Sequence, residues 1–152
     1  MSADRFRVVP AAYVFFRKGE DVLLQLRVGT GFMDGHWAAA AAGHVEQYES
    51  VFDAARREAN EELGLDITSD DLRPLTAMHR TAPGHAAVDE RVDFFFECWS
   101  WDGEPRRIET HKSADLGWFS LDALPHPVVP HELLVLERMH AGTLDPVVSY
   151  GF

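Results

Sequence analysis

Residues 50–63 constrain the fold more than any other part of the chain, because every signal in this segment favours one helix. Ser50 is followed three residues later by Asp53, a capping-box arrangement, and Gly64 stands where helices commonly end. Apolar residues recur every four positions, at Val51, Ala55, Ala59 and Leu63. The segment is therefore predicted to form an amphipathic helix that packs its apolar stripe against a core.

The opposite face of this predicted helix carries three glutamates. Glu58, Glu61 and Glu62 are spaced i, i+3, i+4, so their carboxylates project from one face within reach of each other. Two such charges about 6 Å apart repel by roughly 3 kcal/mol at an effective dielectric constant near 20. A solvated acidic face is one interpretation. The other is a hard divalent cation such as Mg²⁺, which takes oxygen ligands and couples carboxylates to phosphates.

The rest of the chain predicts strands around two helices. Residues 6–16 and 22–27 are typical of a hairpin, and residues 131–140 predict a second helix. Further strands are predicted at residues 75–81, 91–101 and 116–121. The five alanines at 38–42 are too few for an independent helix and favour a close-packed strand or turn. We therefore expect one α+β layered domain over residues 1–152.

Charge and composition narrow the function classes. A net charge of −11 opposes binding to a nucleic-acid polymer, because affinity for its backbone comes mainly from Lys and Arg. The hydrophobic share of 46% is ordinary for a globular protein, and no membrane span is predicted. A single cysteine, Cys98, cannot form an intrachain disulfide. We expect a cytoplasmic protein that binds any anionic substrate through a cation.

Residues 43–65 carry a longer pattern. Five residues separate Gly43 from Glu49, seven more precede Arg57-Glu58, and Glu61-Glu62 follow, with Gly64-Leu65 at the end. This pattern resembles the signature of the Nudix hydrolase family, G-x5-E-x7-R-E-U-x-E-E-x-G-U, at every specified position, with Ala59 as the first aliphatic residue U. The chain is also similar to that family in its order of strands and helices.

The resemblance implies a Nudix α/β/α sandwich with a mixed sheet and an enzyme that hydrolyses a nucleoside diphosphate linked to another group. It also implies Mg²⁺ as the cofactor, with Mn²⁺ as a substitute. The metal-binding and catalytic glutamates of the family match Glu58, Glu61 and Glu62, with Glu58 as the candidate base. Two further metal ligands are implied, the carboxylate of Glu109 and the backbone carbonyl of Ala42.

Other matched positions have supporting roles. Glu49 and Arg57 correspond to residues that usually pair and fix the loop against the helix. Gly43 permits a tight backbone path, and Gly64 ends the helix. Similar proteins often have a glycine where this chain has Tyr48, and a proline within the stretch where it has only alanine.

Substrate contacts are predicted less directly. Our candidates for substrate binding are Arg27, His44, Arg80 and Trp118, and further candidates are Phe32, Trp37, Phe95, His79 and His111. The loop pattern looks MutT-like, which implies that a canonical or oxidised nucleoside triphosphate is cleaved to the monophosphate and pyrophosphate. ADP-ribose, a dinucleoside polyphosphate or a nucleotide sugar is the alternative substrate.

Two other functions share the fold. Trp37 to His44 reproduces a Trp-x6-His spacing, ending in Gly-His, of the isopentenyl diphosphate isomerase branch, but Ala42 stands where that branch has its cysteine. A nucleotide-binding module without turnover is the other alternative, although all the helix glutamates are retained. The apolar residues 147–152 are expected to pack on the domain or on a second subunit of a homodimer.

Overall fold

The first strand lies at the centre of a mixed sheet in the computed structural model, which describes residues 4–152. This strand, β1 (Val9–Lys18), runs parallel to β6 (Arg91–Cys98), and β6 pairs antiparallel with β5 (Leu72–Arg80). On its other side β1 pairs antiparallel with β4 (Ala41–His44) and, at its end, with β2 (Asp21–Arg27). β2 also pairs with β3 (Trp37–Ala39) and β7 (Ser113–Ser120).

Two helices cover opposite faces of this sheet, because alternate residues of β1 point to opposite sides. Ala12, Val14 and Phe16 pack in one core with the apolar stripe of α1 (Val51–Leu63). Ala11, Tyr13 and Phe15 belong to the second core, which includes α2 (Pro130–Ala141). This arrangement confirms the predicted α/β/α sandwich with a mixed sheet.

The alanine run forms the crossing between two parts of the sheet. Ala39 pairs with Leu24 of β2, whereas Ala41 pairs with Val14 of β1, so the chain changes its partner at Ala40. Residues 38–41 are all at most 2% exposed. Larger side chains would have no room here, since both cores already meet at this crossing. The predicted strand or turn is confirmed.

Several strands begin or end at other residues than the sequence predicted, because the hydrogen-bonding partners on neighbouring strands determine where each strand begins and ends. β1 begins at Val9 because its parallel partner begins at Arg91, and β5 begins at Leu72, earlier than predicted, opposite Cys98. β6 ends at Cys98, and β7 begins at Ser113 opposite Arg27. The terminal strand β8 (Val147–Tyr150) pairs in parallel with β5, so this segment packs on its own domain. No helix within residues 4–152 is long and apolar enough to cross a membrane.

Candidate active site

A cavity of about 820 Å³ extends from the acidic face of α1 to the first turn of α2. Its size suits a ligand of nucleotide dimensions. One end is lined by the carboxylates of Glu58, Glu61, Glu62 and Glu109. The residues predicted to bind metal thus lie on one cavity, although Glu109 is 47 positions beyond Glu62 on a loop before β7.

Glu58 is not the solvated glutamate of an ordinary acidic helix face. Its side chain is only 13% exposed, against 52% for Glu61. Burial, followed by repulsion from Glu61 and Glu109, raises the pKa of Glu58 despite its contact with Arg57. Burial and the charges of Glu58 and Glu109 raise the pKa of Glu62 well above its ordinary value.

The chemistry of this donor set fits a hard divalent cation, because oxygen ligands of like charge gain most from a shared positive ion. Within residues 4–152 no three side chains of ligand type already converge to metal-binding distance. The carboxylates are instead held by protein donors. The N–H of Ala42 donates to Oε2 of Glu62 at 2.7 Å, and Arg57 holds Glu58. Glu58, Glu61, Glu62 and Glu109 could therefore hold a metal after side-chain adjustment.

Arg57 connects the loop, the helix and the acidic cluster. Its Nε and Nη2 donate to the two carboxylate oxygens of Glu49 at 2.8 and 2.9 Å, and Nη2 also donates to the carbonyl of His44 at 3.1 Å. Its Nη1 donates to Glu58 at 2.6 Å and to Glu61 at 3.3 Å. The expected Glu49–Arg57 pair is thus part of a larger network in which one guanidinium donates to three glutamates.

We expect Arg57→Met to lower the free energy of unfolding by about 2–3 kcal/mol. The substitution leaves the largely buried carboxylates of Glu49 and Glu58 without a counter-ion, and removing one partner of such a network costs several kcal/mol. Urea denaturation measures the loss, with Arg138→Met on the exposed side of α2 as the control. Equal stability of the two variants would contradict a supporting role for Arg57.

Two glycines of the motif are required by close approach. A Cβ at Gly43 would collide with the carboxylate of Glu58, so any other residue here would displace that side chain from its present position. Gly64 has φ of 70° and ends α1 in the left-handed conformation, with Arg106 Nη2 2.7 Å from where a Cβ would stand. Ser50 and Asp53 form the predicted capping box at the other end of α1.

The loop before α1 adopts its turn without a glycine. Tyr48 has φ of 69°, a left-handed conformation that costs a non-glycine residue about 1–2 kcal/mol. Its ring is 97% exposed and contributes no packing in return. The Glu49–Arg57 pair lies directly after it, so the loop keeps the path that the motif requires.

The other end of the cavity has positively charged walls that the sequence motif did not indicate. Arg27, Arg80 and Arg91 line it together with Tyr13, His131 and Glu132. Arg80 donates to the fully buried Asp93 at 2.6 Å. Arg27 and Arg80 were predicted to bind substrate, and the charge of Asp93 within the strand Arg91–Cys98 was the local signal for a buried partner. His44 also lines the cavity, and burial followed by Arg91 lowers its pKa.

Several predicted substrate residues lie elsewhere. Trp118 is absent from the cavity lining and stacks on Trp101 with ring centroids 6.0 Å apart, because its position in β7 points toward the α1 core. Trp37 packs on Phe119, and Phe95 is buried against Tyr13. His79 lies against Phe152, and neither His79 nor His111 lines the cavity. Of the aromatic candidates, Phe32 alone lines the cavity among the residues described.

Comparison with known proteins agrees with this geometry. Residues 5–139 match the family described as the NUDIX domain. The chain belongs to the Nudix family. The NAD-capped RNA hydrolase NudC of Chromobacterium violaceum is 32% identical over 141 residues, which cover 93% of this chain and 48% of that protein. The chain thus spans about half the length of the curated relatives it matches.

Solved Nudix structures share the fold. The MutT Nudix hydrolase from Burkholderia pseudomallei has a TM-score of 0.78 and 26% identity, covering 86% of this chain and 97% of that one. An ADP-ribose pyrophosphatase from Streptococcus suis has a TM-score of 0.64 and 22% identity, with 95% and 99% covered. This chain therefore shares its family and its fold with Nudix hydrolases, and that family acts on pyrophosphate bonds and generally uses a divalent metal.

Proposed function

We propose that this Nudix hydrolase is a Mg²⁺-dependent pyrophosphohydrolase that converts a nucleoside triphosphate, with a canonical or oxidised base, to the monophosphate and pyrophosphate. The observation that carries this proposal is the grouping of Glu58, Glu61, Glu62 and Glu109 at one end of a nucleotide-sized cavity. The coverage of nearly the whole Burkholderia MutT structure also supports it. Mn²⁺ is expected to substitute for Mg²⁺ because it accepts the same oxygen ligands.

Each residue of the acidic end has a proposed role. Glu58, Glu61, Glu62, Glu109 and the carbonyl of Ala42 would hold the divalent cation, whose charge would stabilise the phosphate oxygens and the diphosphate leaving group. Glu58 is the proposed base, because burial raises its pKa and hence its affinity for a proton from the attacking water. Lys112, whose Nζ lies 3.5 Å from Oε2 of Glu109, lines the same cavity and is placed to contact phosphates.

The proposal is tested by turnover of purified protein with Mg²⁺ or Mn²⁺ against canonical and oxidised nucleoside triphosphates, ADP-ribose, dinucleoside polyphosphates and nucleotide sugars. Release of pyrophosphate, detected by added pyrophosphatase, identifies the triphosphate reaction. Two phosphate-bearing products from a dinucleotide would instead favour the alternative. Because the curated relatives are named NAD-capped RNA hydrolases, NAD⁺ and NAD-capped RNA complete the panel, and cleavage of the RNA would overturn the prediction against polymer substrates.

The isomerase reaction finds no support in this cavity. Its required cysteine position is Ala42, whose N–H is bonded to Glu62, and Cys98 is buried at the end of β6 outside the lining. If nucleotides and Mg²⁺ bind but no substrate of the panel is cleaved, that result would support a nucleotide-binding module without turnover.

We expect Mg²⁺ to raise the melting temperature of the metal-free protein. At ten times the dissociation constant, binding contributes about 1.4 kcal/mol, or roughly 3–6 °C for a domain of this size. Because the pKa values of Glu58 and Glu62 are raised on folding, the metal-free protein loses stability as pH rises above the ordinary glutamate range. The thermal shift should therefore be larger at pH 8 than at pH 5.5, as scanning calorimetry at both pH values would show. A shift independent of pH would contradict binding at these carboxylates.

A further inference from the structure

The loop that carries Glu109 is the part of the proposed metal site that lies farthest from α1 in the sequence. Residues 99–112 join β6 to β7 and form no regular helix or strand. A loop of this length is usually functional, and its position depends on bonds to neighbouring elements. The side chain of Glu109 lines the acidic end of the cavity, so whatever holds this loop also sets the position of that carboxylate.

Electrostatic repulsion opposes the position of Glu109. Its charge contributes to the raised pKa values of Glu58 and Glu62, because carboxylates of like charge repel one another. Lys112 offsets this only weakly, since its Nζ lies 3.5 Å from Oε2 of Glu109 and its side chain is 56% exposed. The loop therefore needs further contacts to keep Glu109 beside the acidic face of α1.

The end of α1 provides the first of these contacts. The N–H of Arg106 donates to the carbonyl of Leu63 at 3.0 Å, and the N–H of Ile108 donates to the carbonyl of Glu62 at 3.3 Å. Carbonyls in the last turn of a helix have no partner within the helix and are available to such donors. The residue before Glu109 is thus bonded to the main chain of Glu62.

A turn over residues 109–113 provides the second contact. The carbonyl of Glu109 accepts from the N–H groups of Lys112 and Ser113, at 2.9 and 3.0 Å. The side chain of Arg107 closes this turn, because its Nη1 donates to the carbonyl of Ser113 at 2.6 Å. Ser113 is 4% exposed and begins β7 where the β2–β7 register shifts, so its carbonyl gains a charged donor at an irregular point of the ladder.

Arg107 itself is separate from the cavity. It is exposed and does not line the cavity, whereas Glu109, two residues later, does. Its bond to Ser113 joins the two ends of the segment 107–113, which contains Glu109. Any effect of Arg107 on a bound cation must therefore pass through the position of this segment.

We propose that Arg107 is a positioning residue for the metal site, which holds Glu109 beside Glu62 by closing the segment 107–113. This inference rests on the proposed function, in which Glu109 is a metal ligand. Without the bond from Arg107 to Ser113, the segment opens and Glu109 leaves the site for part of the time. Affinity for the cation then falls in proportion to the fraction of molecules in which the site is complete.

Binding of Mn²⁺ to the substrate-free protein tests this role without turnover. Electron paramagnetic resonance measures free Mn²⁺ during a titration and so gives the dissociation constant. Arg107→Met should weaken binding about three- to tenfold, which corresponds to a complete site in about a third to a tenth of the molecules. Arg107→Lys should stay within about twofold of the wild type, because an ammonium can also donate the single bond to Ser113. Arg138→Met, at an exposed arginine of α2, is the control and should bind as the wild type does.

The variant Glu109→Gln shows whether Arg107 acts through this carboxylate. Glu109→Gln alone should weaken Mn²⁺ binding, and adding Arg107→Met should weaken it no further, because the ligand that Arg107 positions is already lost. A further loss in the double variant, equal to that of Arg107→Met alone, would overturn the proposal. So would equal Mn²⁺ affinities of Arg107→Met and the wild type, or an unchanged affinity in Glu109→Gln.

Failure of this inference and failure of the proposed function give different results. Equal affinities in a protein that cleaves triphosphates would overturn only the role of Arg107. The expected affinities in a protein that cleaves none would support Arg107 and reject the proposed reaction. If circular dichroism shows that Arg107→Met does not fold, Arg107→Gln replaces it, because its neutral amide also removes the charged donor.

Discussion

Glu62→Gln should lower turnover by about a thousandfold or more and at the same time stabilise the metal-free protein. Glutamine keeps the size of the side chain and can still accept the N–H of Ala42, which Glu62 accepts at 2.7 Å. It removes one of the charges proposed to hold the cation, and a thousandfold loss corresponds to about 4 kcal/mol of transition-state stabilisation. Stability rises because the buried, mutually repelling charge is gone.

The two effects are measured separately. Steady-state kinetics with saturating Mg²⁺ on the best substrate of the panel gives the loss of turnover, and scanning calorimetry with EDTA gives the gain in melting temperature. Glu137→Gln makes the same chemical change on an exposed surface and should alter neither quantity. Near-normal turnover in Glu62→Gln with an intact circular dichroism spectrum would remove the carboxylate from the catalytic assignment. A fall in stability with EDTA would show that its charge is compensated in the fold.

Gly43→Ala is the second substitution with a large expected effect. The added methyl group would overlap the carboxylate of Glu58, with the Cγ of Glu58 3.0 Å away, so the side chain of Glu58 must move or α1 must shift. Overpacking of this kind costs about 1–3 kcal/mol. Because Glu58 is the proposed base and metal ligand, we also expect turnover to fall by at least a hundredfold, since small misplacements of catalytic groups have effects of this size.

A double variant tests whether a steric clash between these two residues causes the loss. In Gly43→Ala combined with Glu58→Asp, the shorter side chain withdraws from the added methyl group. Stability measured by urea denaturation should recover in part relative to Gly43→Ala alone, whereas activity should stay low because the carboxylate has moved. Additive losses of stability in the double variant would show that the two residues do not clash, and the requirement for glycine at this position would need another cause.

The helix α1 and its acidic face could be predicted from the sequence because the residues that determine them lie close together in the chain. The capping box at Ser50, the apolar stripe and Gly64 define α1 within a few adjacent residues, and the structure places the helix at Val51–Leu63. The spacing of Glu58, Glu61 and Glu62 needs only helical periodicity to put three acids on one face. The small size of Ala38 to Ala42 correctly predicted close packing.

The contacts between distant segments depend on strand pairing and register, and the spacing of residues in the sequence does not specify them. Trp118 was expected in the site, yet its register opposite Leu23 directs it to the α1 core. Arg80, predicted to bind substrate, lines the cavity, and its guanidinium pairs with Asp93 across the β5–β6 ladder. Each outcome depends on which strands pair and in which register, since a shift of one residue reverses the direction of every side chain.

By itself, the sequence determined α1, its acidic face and the family pattern from Gly43 to Leu65, because these depend on residues close together in the chain. Only the tertiary structure decided what lies opposite that face. It brought Glu109 to the acidic end of the cavity and Glu132 to the other end, where the N–H of Ala39 holds it. These residues come together because the fold buries two cores on opposite faces of one sheet. That packing determines long-range neighbours, which no local sequence pattern specifies.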